Sequence, residues 1–269
     1  MSRPAPAPIL LLYRRVRIIA CLLTLGLLLA GTSASAGPVA VRFSEGVAHG
    51  FVVLRGERGD VLADGELIQT SQANGLQSRL VFRFKDGSRY DETVTFSQKR
   101  VFRLLAYKLV QQGPAFPETS EVAFDRAGGR YRARAGEDTA EGTVELPEDL
   151  HNGMTGMLIR NLPAGGTGRG HVLAFTPKPR LLRTILEPEG EDRYHVGDAA
   201  RTAARYLVTM ELGGLTGAVA SVLGKEPPDL RYWISTGPAP AFLKFHGAMF
   251  LKGPRWRIEP GAPRWPDDR

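Results

Sequence analysis

Beyond residue 47, apolar and polar residues alternate with a period of two along most of the chain, and Gly, Pro and Asp separate the alternating stretches. This pattern predicts half-buried β-strands joined by hairpins. In RLVFRFKDGSRYDETVTF, Leu80, Phe82 and Phe84 share one face of a strand, and Tyr90, Val94 and Phe96 share one face of the return strand. A two-residue Asp86-Gly87 turn would place these rows on opposite sides. A three-residue loop, Lys85-Asp86-Gly87, pairs Phe82 with Tyr90 and aligns them, with Gly87 left-handed beside a bulge. In EVAFDRAGGRYRAR, a four-residue loop from Arg126 to Gly129 pairs Phe124 with Tyr131 and Asp125 with Arg130, and sets Glu121 opposite Arg134.

Further strands are expected over residues 40–44, 48–56, 60–70, 101–111, 140–146, 171–176, 180–187, 191–196, 203–212, 230–236, 240–246 and 248–258. The 101–111 segment also fits a helical face through Val101, Leu104, Leu105 and Leu109, but its surroundings favour a strand. DAARTAAR, residues 198–205, is open to a helical turn before the clean alternation of RYLVTMEL. In PEDLHNGMTGMLIRNLP, Met154, Met157, Leu158 and Leu162 recur at helical spacing, with Asn152 placed as an N-cap. GGLTGAVASVLGK, residues 213–225, is too short to span a bilayer and reads as a packed segment or lid. PAGGTGRG at 163–170 is the one internal break. A single continuous antiparallel sheet over residues 37–260 is expected across it, followed by a fraying Pro-rich tail at 261–269.

Ahead of this region, Arg14, Arg15 and Arg17 precede an apolar run from Ile18 to Ala30, and Ala34-Ser35-Ala36 precedes Gly37-Pro38. A basic start, an apolar core and an A-x-A site predict a signal peptide over residues 1–36, cleaved between Ala36 and Gly37. The apolar run falls short of the ~20 residues a spanning helix needs. Leu29-Ala30-Gly31 outlines a lipobox, but Thr32 has no thiol to acylate. Cys21 follows Ile18-Ile19-Ala20, and charged residues precede those three, so no lipid anchor is expected there. Losing Arg3, Arg14, Arg15 and Arg17 with the leader changes the net charge from +7 to +3. The mature chain is then near neutral, which gives no argument for nucleic-acid binding. It also contains no cysteine, which excludes disulfides, thiolate catalysis and Cys-ligated zinc.

Catalytic motifs are scarce. Gly224-Lys225 lacks the first glycine and the hydroxyl residue of a phosphate loop, since Val219 and Glu226 stand there. Gly166, Gly168 and Gly170 lack the strand–turn–helix setting of a dinucleotide site. The histidines, His49, His151, His171, His195 and His246, are scattered singly, and neither a metal site nor a cofactor is predicted. The best catalytic candidates are Asp149 and His151, which flank Leu150 in a turn, where a carboxylate-oriented imidazole would act as a general base. The same residues also suit a helix-entry turn. The comb of Arg130, Arg132 and Arg134 reads as a solvated face offset by cross-strand carboxylates. Phe116, Trp233, Phe242, Phe245 and Trp256 are candidates for an apolar lining. Phe242 and Phe245 point to opposite faces of a regular strand, so both faces carry large apolar groups. Such a sheet has a second layer, closes into a barrel or presents a concave ligand surface.

Several phrases, YDETVTFSQKRVFRL, LVQQGPAFP, LPEDLHNGM, ELGGLTGAVASVLGKEPPDLRYWI and GPRWRIE, resemble an uncharacterised family of exported bacterial β-rich proteins. They are spread over residues 90–259. The resemblance brings no assigned activity, so it transfers no functional residue. Its β-rich outline is loosely similar to the half-barrels that carry lipoproteins or lipids across the periplasm. The expected architecture is therefore mainly β: a large antiparallel sheet curled into a half-barrel or barrel, with one or two short helices. The expected function is non-enzymatic binding of an apolar ligand, a lipid or an envelope partner in the periplasm of a Gram-negative bacterium. An envelope hydrolase using His151 with Asp149 and an assembly protein acting through a protein surface are the alternatives.

Overall fold

A computed structural model describes residues 37–175, 178–196, 198–212 and 229–261. Residues 1–36, the whole of GGLTGAVASVLGK and residues 262–269 lie outside the described residues. In chain order the strands are β1 (Ala48–Arg55), β2 (Val61–Gln72), β3 (Gly75–Phe84), β4 (Arg89–Gln98), β5 (Phe102–Gln112), β6 (Ser120–Asp125), β7 (Arg130–Ala135) and β8 (Asp138–Thr143). After the helix α1 (Thr155–Asn161) come β9 (Gly168–Phe175), β10 (Pro179–Val196), β11 (Ala199–Leu212), β12 (Leu230–Ser235), β13 (Phe242–Ala248) and β14 (Arg255–Gly261).

All fourteen strands form one antiparallel sheet. Eight strands step from β8 back to β1, β1 pairs with β14, and six strands step back from β14 to β9. The sheet is curled but not closed, because its end strands β8 and β9 share no ladder. Among the described residues α1 is the only helix, and none is long and apolar enough to cross a membrane. The fold is the expected curled antiparallel half-barrel.

Both hairpins adopt the predicted register. Phe82 pairs with Tyr90, and Gly87 takes φ +86° in the three-residue loop. Phe124 pairs with Tyr131 and Glu121 with Arg134. Arg130 and Arg132 reach Asp125 and Glu141 at 3.8 and 3.9 Å, at exposed positions where such pairs contribute little.

Inner-face residues bury the core. Leu54, Phe82, Phe96 and Leu186 are completely buried. Gly65, between Val52 and Phe82 across the ladders, leaves room for the Phe82 ring, which a Cβ there would meet at 2.5 Å. The core falls into two clusters. One gathers β3–β7, β9–β12 and α1, and the other centres on Val52, Phe82, Phe116, Phe245 and Trp256.

Several elements differ from the sequence reading. Residues 40–44 form no strand: Ala40 bridges Val101, and then the Arg42 and Phe43 amides both donate to the Asn161 side-chain oxygen, at 2.8 and 2.7 Å. That oxygen ends the ladder and pins an extended strap to the end of α1. The expected strands at 180–187 and 191–196 are one strand, β10, which continues past Pro188 because Glu189 bulges out between Pro188 and Gly190. DAARTAAR is strand from Ala199, paired residue by residue with β10. Asn152 does not cap the helix, whose N-cap Met154 makes no side-chain bond. Its amide instead brackets the Leu173 backbone, donating to the carbonyl and accepting from the N–H.

Candidate inner cavity

The two core clusters do not fill the half-barrel. Between them lies a cavity of about 600 Å³. Leu80, Leu67, Val52, Ile258, Phe245 and Leu230, on six neighbouring strands from β3 to β12, line it together with residues of α1 and of the strap at 44–48. Leu230, Tyr232 and Phe242 pack against both clusters and so border the gap. The strap is held in place from two sides. Glu45 exchanges backbone bonds with the Gln98 side chain, each at 2.7 Å, and its carboxylate pairs with Arg160 of α1 at 2.9 Å.

Polar groups are few and concentrated. Gln69 and Ser78 are buried on the wall. Glu92 extends from the inner row of β4, between Tyr90 and Val94, and accepts a bond from the Tyr107 hydroxyl at 2.8 Å. Tyr90 also hydrogen-bonds to this carboxyl. Gly153 presses on it from the loop before α1, where a Cβ would lie 3.2 Å from the carboxyl carbon. Burial raises the Glu92 pKa against the opposing effect of the two tyrosine bonds. Burial likewise raises the Tyr90, Tyr107 and Tyr232 hydroxyls. Part of Glu92 remains accessible from the cavity it lines. A carboxyl and phenols set in an apolar wall supply one polar anchor for an otherwise apolar guest.

The structure divides the five expected lining residues. Phe242 and Phe245 both line the cavity, a correction to the expectation that they face opposite ways. Trp233 pairs with Lys244 and Ile234 with Phe242, so Leu243 bulges and restores both rings to one side. Phe116 and Trp256 do not line the cavity: their rings pack with Phe84 and Phe250 in a buried aromatic cluster. Trp233 is on the outer face, where its indole N–H donates to Asp192 at 2.6 Å and the Lys244 ammonium lies 3.9 Å over the ring.

Asp149 and His151 take different partners. They flank Leu150, which bridges β9 in parallel at His171, and each side chain is engaged elsewhere. Asp149 binds Nδ1 of His171 at 2.7 Å. His151 is buried, with Nε2 2.6 Å from the Thr184 hydroxyl and Nδ1 3.2 Å from that of Thr155. Burial lowers its pKa to about 4. Among the described residues, no group of three or more His, Cys, Asp or Glu side chains is placed to hold a metal ion.

Sequence reasoning missed Glu92, although its signal was present: an acidic residue occupies the second step of the apolar row Tyr90, Val94 and Phe96. Comparison with known proteins adds no assignment to this geometry: no family model, curated protein or solved structure matches the chain.

Proposed function

We propose that this protein is an exported, non-enzymatic carrier that holds an apolar or amphipathic ligand inside its half-barrel, acting in the periplasm. The observation that carries this reading is the cavity of about 600 Å³, lined mainly by aliphatic and aromatic side chains. Its volume falls in the ~300–1,000 Å³ range of small-molecule sites, and a guest burying apolar surface there gains ~25 cal/mol per Å². The signal-like segment ahead of Gly37 supports export.

Leu80 is half-buried and faces the gap, so Leu80→Trp fills the cavity from a regular strand position. Solvent extraction of the purified mature chain is expected to release an apolar molecule identifiable by mass spectrometry. Leu80→Trp is expected to reduce that yield and to lower affinity for N-phenyl-1-naphthylamine by tenfold or more. A wild-type chain that yields no such molecule and leaves the probe's fluorescence unchanged would overturn the reading.

A further inference from the structure

We propose that the ligand of this cavity carries an ammonium group, which Glu92 receives together with the rings of Tyr90, Tyr232 and Phe245. The inference rests on the reading of the cavity as a binding site and specifies the chemistry of its guest. Its starting point is a carboxyl placed where packing alone has no use for one. Glu92 shares the inner row of β4 with Tyr90, Val94 and Phe96, and burying an unpaired carboxylate is costly.

Among the described residues its charge has no counterpart. Arg79 and Arg89 bind Asp91 on the other face of β4, and Arg160 is held by Glu45. Among the described residues no lysine, arginine or histidine pairs with Glu92. Tyr107 and Tyr90 supply hydrogen bonds but no charge, and Gly153 closes one side of the carboxyl. The accessible side faces the cavity.

That side is rich in aromatic rings. Tyr90, Tyr232 and Phe245 line it together with Glu92, and the Tyr232 and Phe245 rings meet edge-on at 5.1 Å. Aromatic faces attract cations, most strongly where water is excluded. An anionic head group would meet the Glu92 carboxyl, while Arg160 on the lining is already held by Glu45, and a neutral alcohol would leave the carboxyl's charge unmatched. An ammonium satisfies both the carboxylate and the rings, and offsets the desolvation that raises the Glu92 pKa. The aliphatic part of the guest then lies along Val52, Leu80 and Ile258.

Calorimetric titration with decylammonium, 1-decanol and decanoate, each below its micelle concentration at pH 7, separates these classes. Decylammonium is expected to bind at least tenfold more tightly than 1-decanol, with decanoate weakest. Glu92→Gln is expected to lose the ammonium preference, its decylammonium affinity falling tenfold or more relative to the wild type. Tyr232→Leu, which removes one ring and leaves the carboxyl, is expected to reduce that preference threefold or more. Equal or tighter binding of decanol or decanoate by the wild type would overturn the proposal, as would an undiminished preference in Glu92→Gln. If decanol binds without any preference for the amine, only the ammonium assignment fails. If none of the three binds, the cavity reading fails with it.

Discussion

At the scale of single residues, the buried polar groups have the clearest physical consequences. His151 is only 2% exposed, between two hydroxyls that suit a neutral ring, in which one nitrogen donates and the other accepts. Burial lowers its folded-state pKa to about 4, against an ordinary value near 6.5. Between these values the unfolded chain binds a proton that the folded chain refuses. His151 therefore supports folding fully above pH 6.5 and progressively less as the pH falls towards 4, by ~3 kcal/mol in total. Glu92 acts in the opposite sense, because a raised folded-state pKa favours the folded chain at lower pH. Its contribution is common to the wild type and His151→Gln, so it cancels in their difference. Denaturant unfolding of both proteins from pH 7 to 4 is expected to show the stability gap between them narrowing by that amount. Parallel curves would mean that the imidazole is not held neutral. The burial of His151 was not legible in the sequence, because it depends on Thr184 of β10, 33 positions away.

At the scale of elements, the sequence reading set the register of the regular hairpins and was ambiguous or mistaken about side-chain facing where a strand bulges. The period of two and the turn glycines placed both hairpins in register, because a one-residue slip would have reversed every side chain. A bulge adds one residue to one strand, which turns a step of two into a step of three and imitates helical spacing. Leu105 is the unpaired residue between Leu104, opposite Phe96, and Ala106, opposite Thr95, which explains why 101–111 also fits a helical face. Leu243 does the same between Phe242 and Lys244. No residue type marks either bulge, so the lining role of Phe242 depended on pairing that only the structure shows. Deleting Leu243 keeps Ile234 opposite Phe242 and both phenylalanines inward. The variant is expected to fold with a loss of about 1–2 kcal/mol and to retain N-phenyl-1-naphthylamine binding. Deleting Leu207 from the regular ladder of β11 reverses the faces on one side of the deletion and is expected to abolish folding. Circular dichroism and probe titration of the two deletions test the assignment; equal damage from both would refute it.

At the scale of the whole sheet, the open question for any half-barrel is what holds its curvature when no ladder joins the ends. A strand ladder does not do so here, since β8 and β9 are unpaired with each other. The edge of β9 is occupied by the Asp149–Asn152 segment, through the His151 N–H to His171 carbonyl bond at 2.9 Å and the return bond from His171 to Asp149 at 3.2 Å. On the other side, Arg126 donates to the carbonyls of Leu104, Leu146 and Pro147, tying β5 to the linker that leaves β8. Rings complete the join: Phe175 at the end of β9 lies 6.1 Å from Phe124 of β6 and 5.6 Å from Tyr131 of β7. Fourteen strands are therefore brought round until residues from opposite ends of the sheet touch, and the cavity exists because of that curvature. Phe175 is only half-buried, so removing its ring should cost less than a full core truncation, about 2–3 kcal/mol. Phe175→Ala is expected to lose that amount in denaturant unfolding. Amide exchange is expected to accelerate first in β8 and β9, while β1 to β3, far from the seam in strand order, keep their protection. Uniform acceleration across the sheet would show that the rings add only general stability, and unchanged exchange would show that the linker and Arg126 hold the curve without them.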